Sequence, residues 1–132
     1  MQFNLFPSKM KDMANELEID PKDALRDQQV AVVCFYAPGC KDCETTEPYE
    51  NKLAEDFGGR VAFHRFDAIE LYEIADAYGV KRYPTYIVFR KGKAIRGVLI
   101  EPVAEGELRN WLEIHLRSRH WDQLRTNKSW DL

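Results

Sequence analysis

The segment Val30-Ala-Val-Val-Cys-Phe-Tyr-Ala37 is an apolar run rich in β-branched and aromatic side chains, which is the pattern of a buried strand. Beyond a polar turn, Tyr49, Leu53 and Phe57 recur at helical spacing, and Gly58-Gly59 follows. The spacing predicts a helix over Glu44–Phe57 ended by the glycines. Val61–Asp67 reads as the next strand. Leu71, Ile74, Ala75 and Tyr78 stripe a third helix closed by Gly79. Thr85–Arg90 and Ala94–Leu99 read as a hairpin across Lys91-Gly92-Lys93, and Leu108, Trp111, Leu112 and Leu116 stripe a last helix. Upstream, Met10, Met13, Ala14 and Leu17 predict an amphipathic helix over Ser8–Glu18 with Ser8 at its N-cap. Asp20-Pro21 starts a short helix, a cap followed by proline at the first helical position. Strands alternating with helices, then two strands and a helix, make an α/β protein with a mixed sheet.

Length and composition narrow the class. A chain of 132 residues, 45% hydrophobic, has the size and apolar content of one domain with a single core. A net charge of −3 argues against nucleic acid as a partner and gives no reason to invoke a membrane. No segment approaches the ~20 apolar residues of a membrane helix. Met1-Gln-Phe-Asn-Leu-Phe-Pro7 runs at once into Lys9, Lys11 and Asp12, so it does not read as a secretory signal. The expectation is a cytoplasmic protein, unless Met1 stands in place of a removed signal.

Chemistry enters at Pro38-Gly39-Cys40-Lys41-Asp42-Cys43, where the first strand turns into its helix. A helix N-terminus offers unpaired N–H groups and partial positive charge, and both favour a thiolate. Two intervening residues let the second sulfur, one turn in, reach the first, as a reversible disulfide requires. Zinc ribbons also use this spacing, but zinc needs further thiolates or imidazoles at paired spacing. The chain offers one other cysteine, Cys34, and three histidines, His64, His115 and His120, none suitably spaced. A CxxC pair in a βαβ context reads as a redox motif. Cys40, at the helix start, is the expected attacking thiolate, and Cys43 the resolving thiol.

Further residues sharpen this reading. Pro48 falls inside the predicted helix, and Tyr83-Pro84-Thr85 opens the apolar run Thr85-Tyr-Ile-Val-Phe89, where a strand accepts proline as its first residue. With Phe35-Tyr36-Ala37-Pro38 before the cysteines and Tyr78-Gly79-Val80-Lys81-Arg82-Tyr83-Pro84-Thr85 downstream, the sequence resembles the thioredoxin superfamily, closest to thioredoxins and the catalytic domains of protein disulfide isomerases. The resemblance covers about residues 25 to 116. It implies a thioredoxin-like fold, with a central mixed β-sheet flanked by helices on both faces. It implies that Pro84 is cis, faces the disulfide and supports substrate backbone, with Tyr83 and Gly39 shaping the groove.

Three departures stand out. Gly39 replaces the family's usual tryptophan and removes an apolar wall. Cys34 stands where relatives carry a buried Asp or Glu, the group thought to take the resolving cysteine's proton. Phe63 stands where thioredoxins place the lysine that pairs with it. Acid and base are both expected to be missing, with slow resolution near neutral pH as the consequence. Cys34 is then either core filler or a third redox thiol. The loop Leu99-Ile-Glu-Pro102 lacks the glycine that relatives place beside the site.

The chain therefore reads as a thiol–disulfide oxidoreductase acting on protein disulfides through Cys40 and Cys43. It is expected to need no cofactor or metal, and to draw electrons from a reductase or a small thiol. The competing reading is an adaptor on the same scaffold with little turnover. Residues 1–116 form the expected domain. Residues 117–132, with Trp121 and Trp130 beside Arg117, Arg119, Arg125 and Lys128, form an extension. Its tryptophans either dock on the domain itself or anchor a partner.

Overall fold

A computed structural model describes residues 16–95 and 97–117. The elements are β1 (Glu16–Leu17), α1 (Pro21–Ala24), β2 (Ala31–Tyr36), α2 (Lys41–Asp56), β3 (Ala62–Asp67), α3 (Tyr72–Ala77), β4 (Thr85–Arg90), β5 (Lys93–Ala94), β6 (Leu99–Ile100) and α4 (Glu105–Arg117). The sheet runs β1-β3-β2-β4-β5, and β6 also pairs with β4. β1, β3 and β2 are mutually parallel, and β4 lies antiparallel to β2.

β2 is the buried centre of the sheet, so its side chains alternate between two apolar layers. Ala31, Val33 and Phe35 pack with Leu25, Phe66, Ala75, Ile87 and Phe89, under α1 and α3. Val32 and Cys34 pack with Leu53, Phe57, Tyr86, Val88, Leu108 and Leu112, under α2 and α4. Helices cover both faces, as expected. α1 is fixed at its start by the Asp20 carboxylate, which accepts from the backbone N–H of Lys22 at 3.0 Å and from the Tyr78 hydroxyl at 2.6 Å. That second bond ties α1 to the end of α3. Among the described residues no helix is long and apolar enough to cross a membrane.

Three expectations change. Most of the helix read over Ser8–Glu18 lies outside the described residues, but its last part is extended: Glu16 and Leu17 pair with Arg65 and Phe66 of β3. Edge pairing of this kind overrides helical periodicity, because Leu17 enters the core beside Phe66 and Glu16 accepts from the Tyr36 hydroxyl at 2.7 Å. α2 begins at Lys41, three residues before Glu44, with Cys40 as its N-cap. The strand read over Ala94–Leu99 is divided into β5 and β6, which pair with opposite ends of β4. Gly97 takes φ +86° there, and its carbonyl accepts from Trp111 Nε1 at 2.6 Å. That carbonyl is committed to α4 and not to the β4 ladder. Residues 118–132, including Trp121 and Trp130, lie outside the described residues.

Candidate active site

The site forms at the carboxyl end of β2, where the chain must turn from sheet into helix. Gly39 makes the turn at φ +81°, a backbone region that costs side-chain-bearing residues about 1–2 kcal/mol. The Cys40 N–H donates to the Ala37 carbonyl at 3.1 Å. Cys40 then caps α2, and the backbone N–H of Cys43 points at Cys40 Sγ at 3.1 Å. Cys40 and Cys43 are joined as a disulfide, with Cα atoms 5.2 Å apart. Cys40 is partly exposed, whereas Cys43 is 2% exposed on the inner face of α2. A donated N–H and a helix start both favour negative charge on Cys40 sulfur once the pair is reduced.

The second wall comes from the segment that leads into the neighbouring strand β4. The Tyr83–Pro84 peptide is cis, and the Tyr83 carbonyl oxygen lies 4.0 Å from Cys40 Sγ. Pro84 is buried and its carbonyl accepts from the Glu101 N–H at 2.8 Å. The glycine-free loop Leu99–Pro102 is accommodated by Glu101 itself, which adopts φ +49° and pairs with Arg82 at 3.4 Å. Cys40, Cys43, Tyr83 and Pro84 thus meet in one place, with Gly39 in the adjoining turn. Lys41 and Asp42 point to solvent.

Behind Cys43 lies a polar cluster that the sequence reading missed. Phe63 is not the partner of position 34: strand register sets Phe63 opposite Val32 and Arg65 opposite Cys34. The basic residue is therefore present, two positions further along β3. A buried acid is present too, brought by the helix. Glu50, 3% exposed, accepts from the Tyr86 hydroxyl at 2.5 Å and from Arg65 at 3.2 Å. The same guanidinium donates to the Cys43 carbonyl at 3.2 Å, reaches Cys34 Sγ at 3.5 Å, and stacks over the Tyr36 ring at 4.9 Å. Thr46 Oγ1 also donates to the Cys43 carbonyl, at 3.2 Å. The buried positions of α2 are Cys43, Thr46, Glu50 and Leu53; Tyr49 packs half-buried against the core as expected, and Glu50 lies deeper beside it. Spacing of seven residues from Cys43 was the available signal, since two helical turns return to the same face.

Burial pushes the Cys34 thiol well above its ordinary range, and the neighbouring Glu50 charge adds to this against the opposing Arg65. Burial likewise lifts the Glu50 carboxyl, opposed by Arg65 and by the Tyr86 hydrogen bond. Cys34 is fully buried and so stays a neutral thiol, not an exposed nucleophile. No group of three or more metal-ligating side chains occurs among the described residues.

A sequence model of the thioredoxin family matches residues 14–113. The chloroplastic thioredoxin M4 of Arabidopsis thaliana is 36% identical over 62 residues, 47% of this chain and 32% of that protein. Protein disulfide-isomerase A4 of Bos taurus is 33% identical over 75 residues, 54% of this chain and 12% of that protein. The chain therefore spans about a third or less of the length of these two relatives. Among solved structures, a mutant thioredoxin from Halobacterium salinarum superposes with a TM-score of 0.63 at 28% identity, covering 74% of this chain and 84% of that one.

Proposed function

This chain belongs to the thioredoxin family, and from that premise we propose that it is a thiol–disulfide oxidoreductase acting on protein disulfides through Cys40 and Cys43. The observation that carries the reading is the bonded pair at the start of α2, with an N–H aimed at the more exposed sulfur. In the reduced protein the Cys40 thiolate attacks a substrate disulfide and releases one substrate thiol. Cys43 then attacks Cys40 Sγ, releases the second thiol and closes the Cys40–Cys43 bond. Two electrons pass to the substrate. A reductase or a small thiol returns them. The chemistry requires no bound cofactor.

Pro84 and the Tyr83 carbonyl form the edge against which extended substrate backbone lies, and Gly39 leaves the opposite side open. Reduction of insulin by dithiothreitol tests the reading. The unsubstituted protein should accelerate precipitation of the insulin chains, and Cys40→Ser should not. Equal rates with both proteins, or no acceleration by either, would contradict it and favour an adaptor.

A further inference from the structure

Glu50 is buried at a cost, and a buried ion pair is weak evidence of a purely stabilising role, since apolar replacements often serve as well. Its surroundings are specific. One Arg65 nitrogen joins the Glu50 carboxylate, the Cys43 carbonyl and the Cys34 sulfur, at 3.2, 3.2 and 3.5 Å. Tyr86 holds the same carboxylate oxygen from β4. A single guanidinium thus ties the buried acid to the backbone of the resolving cysteine, while position 34 on β2 carries no carboxylate. We propose that Glu50, supplied by the helix, accepts the proton of Cys43 during resolution of the mixed disulfide.

The inference rests on the oxidoreductase reading. With substrate sulfur bonded to Cys40, the Cys43 thiol gives its proton to the Glu50 carboxylate. Cys43 thiolate attacks Cys40 Sγ; the Cys40–Cys43 bond forms and the Cys40–substrate bond breaks. The electron pair leaves on substrate sulfur, and the proton held by Glu50 passes to that sulfur, directly or by way of solvent, so Glu50 ends ionised. Groups facing Glu50 are Cys34 from β2, Arg65 from β3 and Tyr86 from β4, with Glu47 on its own helix. Burial raises the carboxyl, which brings its basicity closer to that of a thiolate and eases the transfer. Arg65 also holds Glu50 to the backbone carbonyl of Cys43, and the signature of Glu50 as proton acceptor is a pH profile.

The test is stopped-flow exchange between the reduced full-length chain and a fluorescent disulfide peptide, read as mixed-disulfide formation followed by resolution; Cys43→Ser isolates the first phase. Glu50→Gln should leave the first phase unchanged and slow the second about 10²-fold near neutral pH, the low end of general-base assistance. The deficit should shrink as pH rises through the thiol range. A resolution rate unchanged by Glu50→Gln, or a deficit independent of pH, overturns the Glu50 assignment alone. Absence of a second phase in the unsubstituted protein overturns the oxidoreductase reading and this inference with it. Should Glu50→Gln not fold, the unsubstituted profile decides. A rise in resolution rate below the thiol range supports Glu50, and a rise confined to the thiol range overturns it.

Discussion

Tyr86 is the residue that most directly reports on the buried carboxylate. Its hydroxyl donates to Glu50 at 2.5 Å in a fully buried setting. Tyr86→Phe removes a hydrogen bond to a group that is charged when ionised, and should cost about 1–3 kcal/mol in urea unfolding near neutral pH. The cost should be smaller in acid, where Glu50 is protonated and the bond is no longer charge-assisted. The carboxyl pKa is raised in the folded state, so the native protein holds a proton that the unfolded chain releases. Glu50's contribution to stability is therefore full below the ordinary glutamate range and declines as pH rises through the interval up to its raised value. Tyr86→Phe should extend that decline to higher pH; an equal cost at both pH values would disconnect Tyr86 from the charge. At this scale the sequence was half legible. The CxxC pair and Tyr83-Pro84 are local signatures and could be read directly. Glu50 could not, because a glutamate within a helix reads as solvated face. Arg65 could not, because the choice between it and Phe63 as neighbour of Cys34 depends on strand register, which one sequence does not state.

At the scale of elements, alternation and helical stripes located β2, α2, β3, α3, β4 and α4 within a few residues, since each buries a continuous apolar face. What escaped was short edge structure, where two-residue strands carry no period. The turn between β4 and β5 shows how tightly one such edge is held. Gly92 has φ +82°, and a Cβ there would sit 2.7 Å from the Lys22 carbonyl oxygen and 3.0 Å from Arg26 Cα. Gly59, at φ +86°, has nothing within 4 Å of an added Cβ. Gly59→Ala should cost about 1–2 kcal/mol for backbone conformation alone. Gly92→Ala should cost clearly more, because backbone of the α1 region must move as well. Thermal unfolding of the two variants compares them; equal shifts in Tm would show that the hairpin does not press on that region.

In the whole molecule, a central strand buried on both faces delivers one turn, Ala37–Cys40, to an edge that β4 closes with Tyr83 and Pro84. Loops beyond the carboxyl ends of parallel strands are where such α/β sheets gather their chemistry. Attack is assigned to Cys40, which is partly exposed and receives an N–H, and resolution to Cys43, which is buried and bonded through its carbonyl to Arg65 and Thr46. Cys34, enclosed in the core, takes no substrate. The most direct measurement is covalent trapping: reduced Cys43→Ser protein is mixed with a disulfide-containing protein substrate, and the adduct is mapped by mass. The account predicts a stable mixed disulfide on Cys40 alone. An adduct on Cys34, or Cys40→Ser protein trapping substrate on Cys43 as readily, would contradict it.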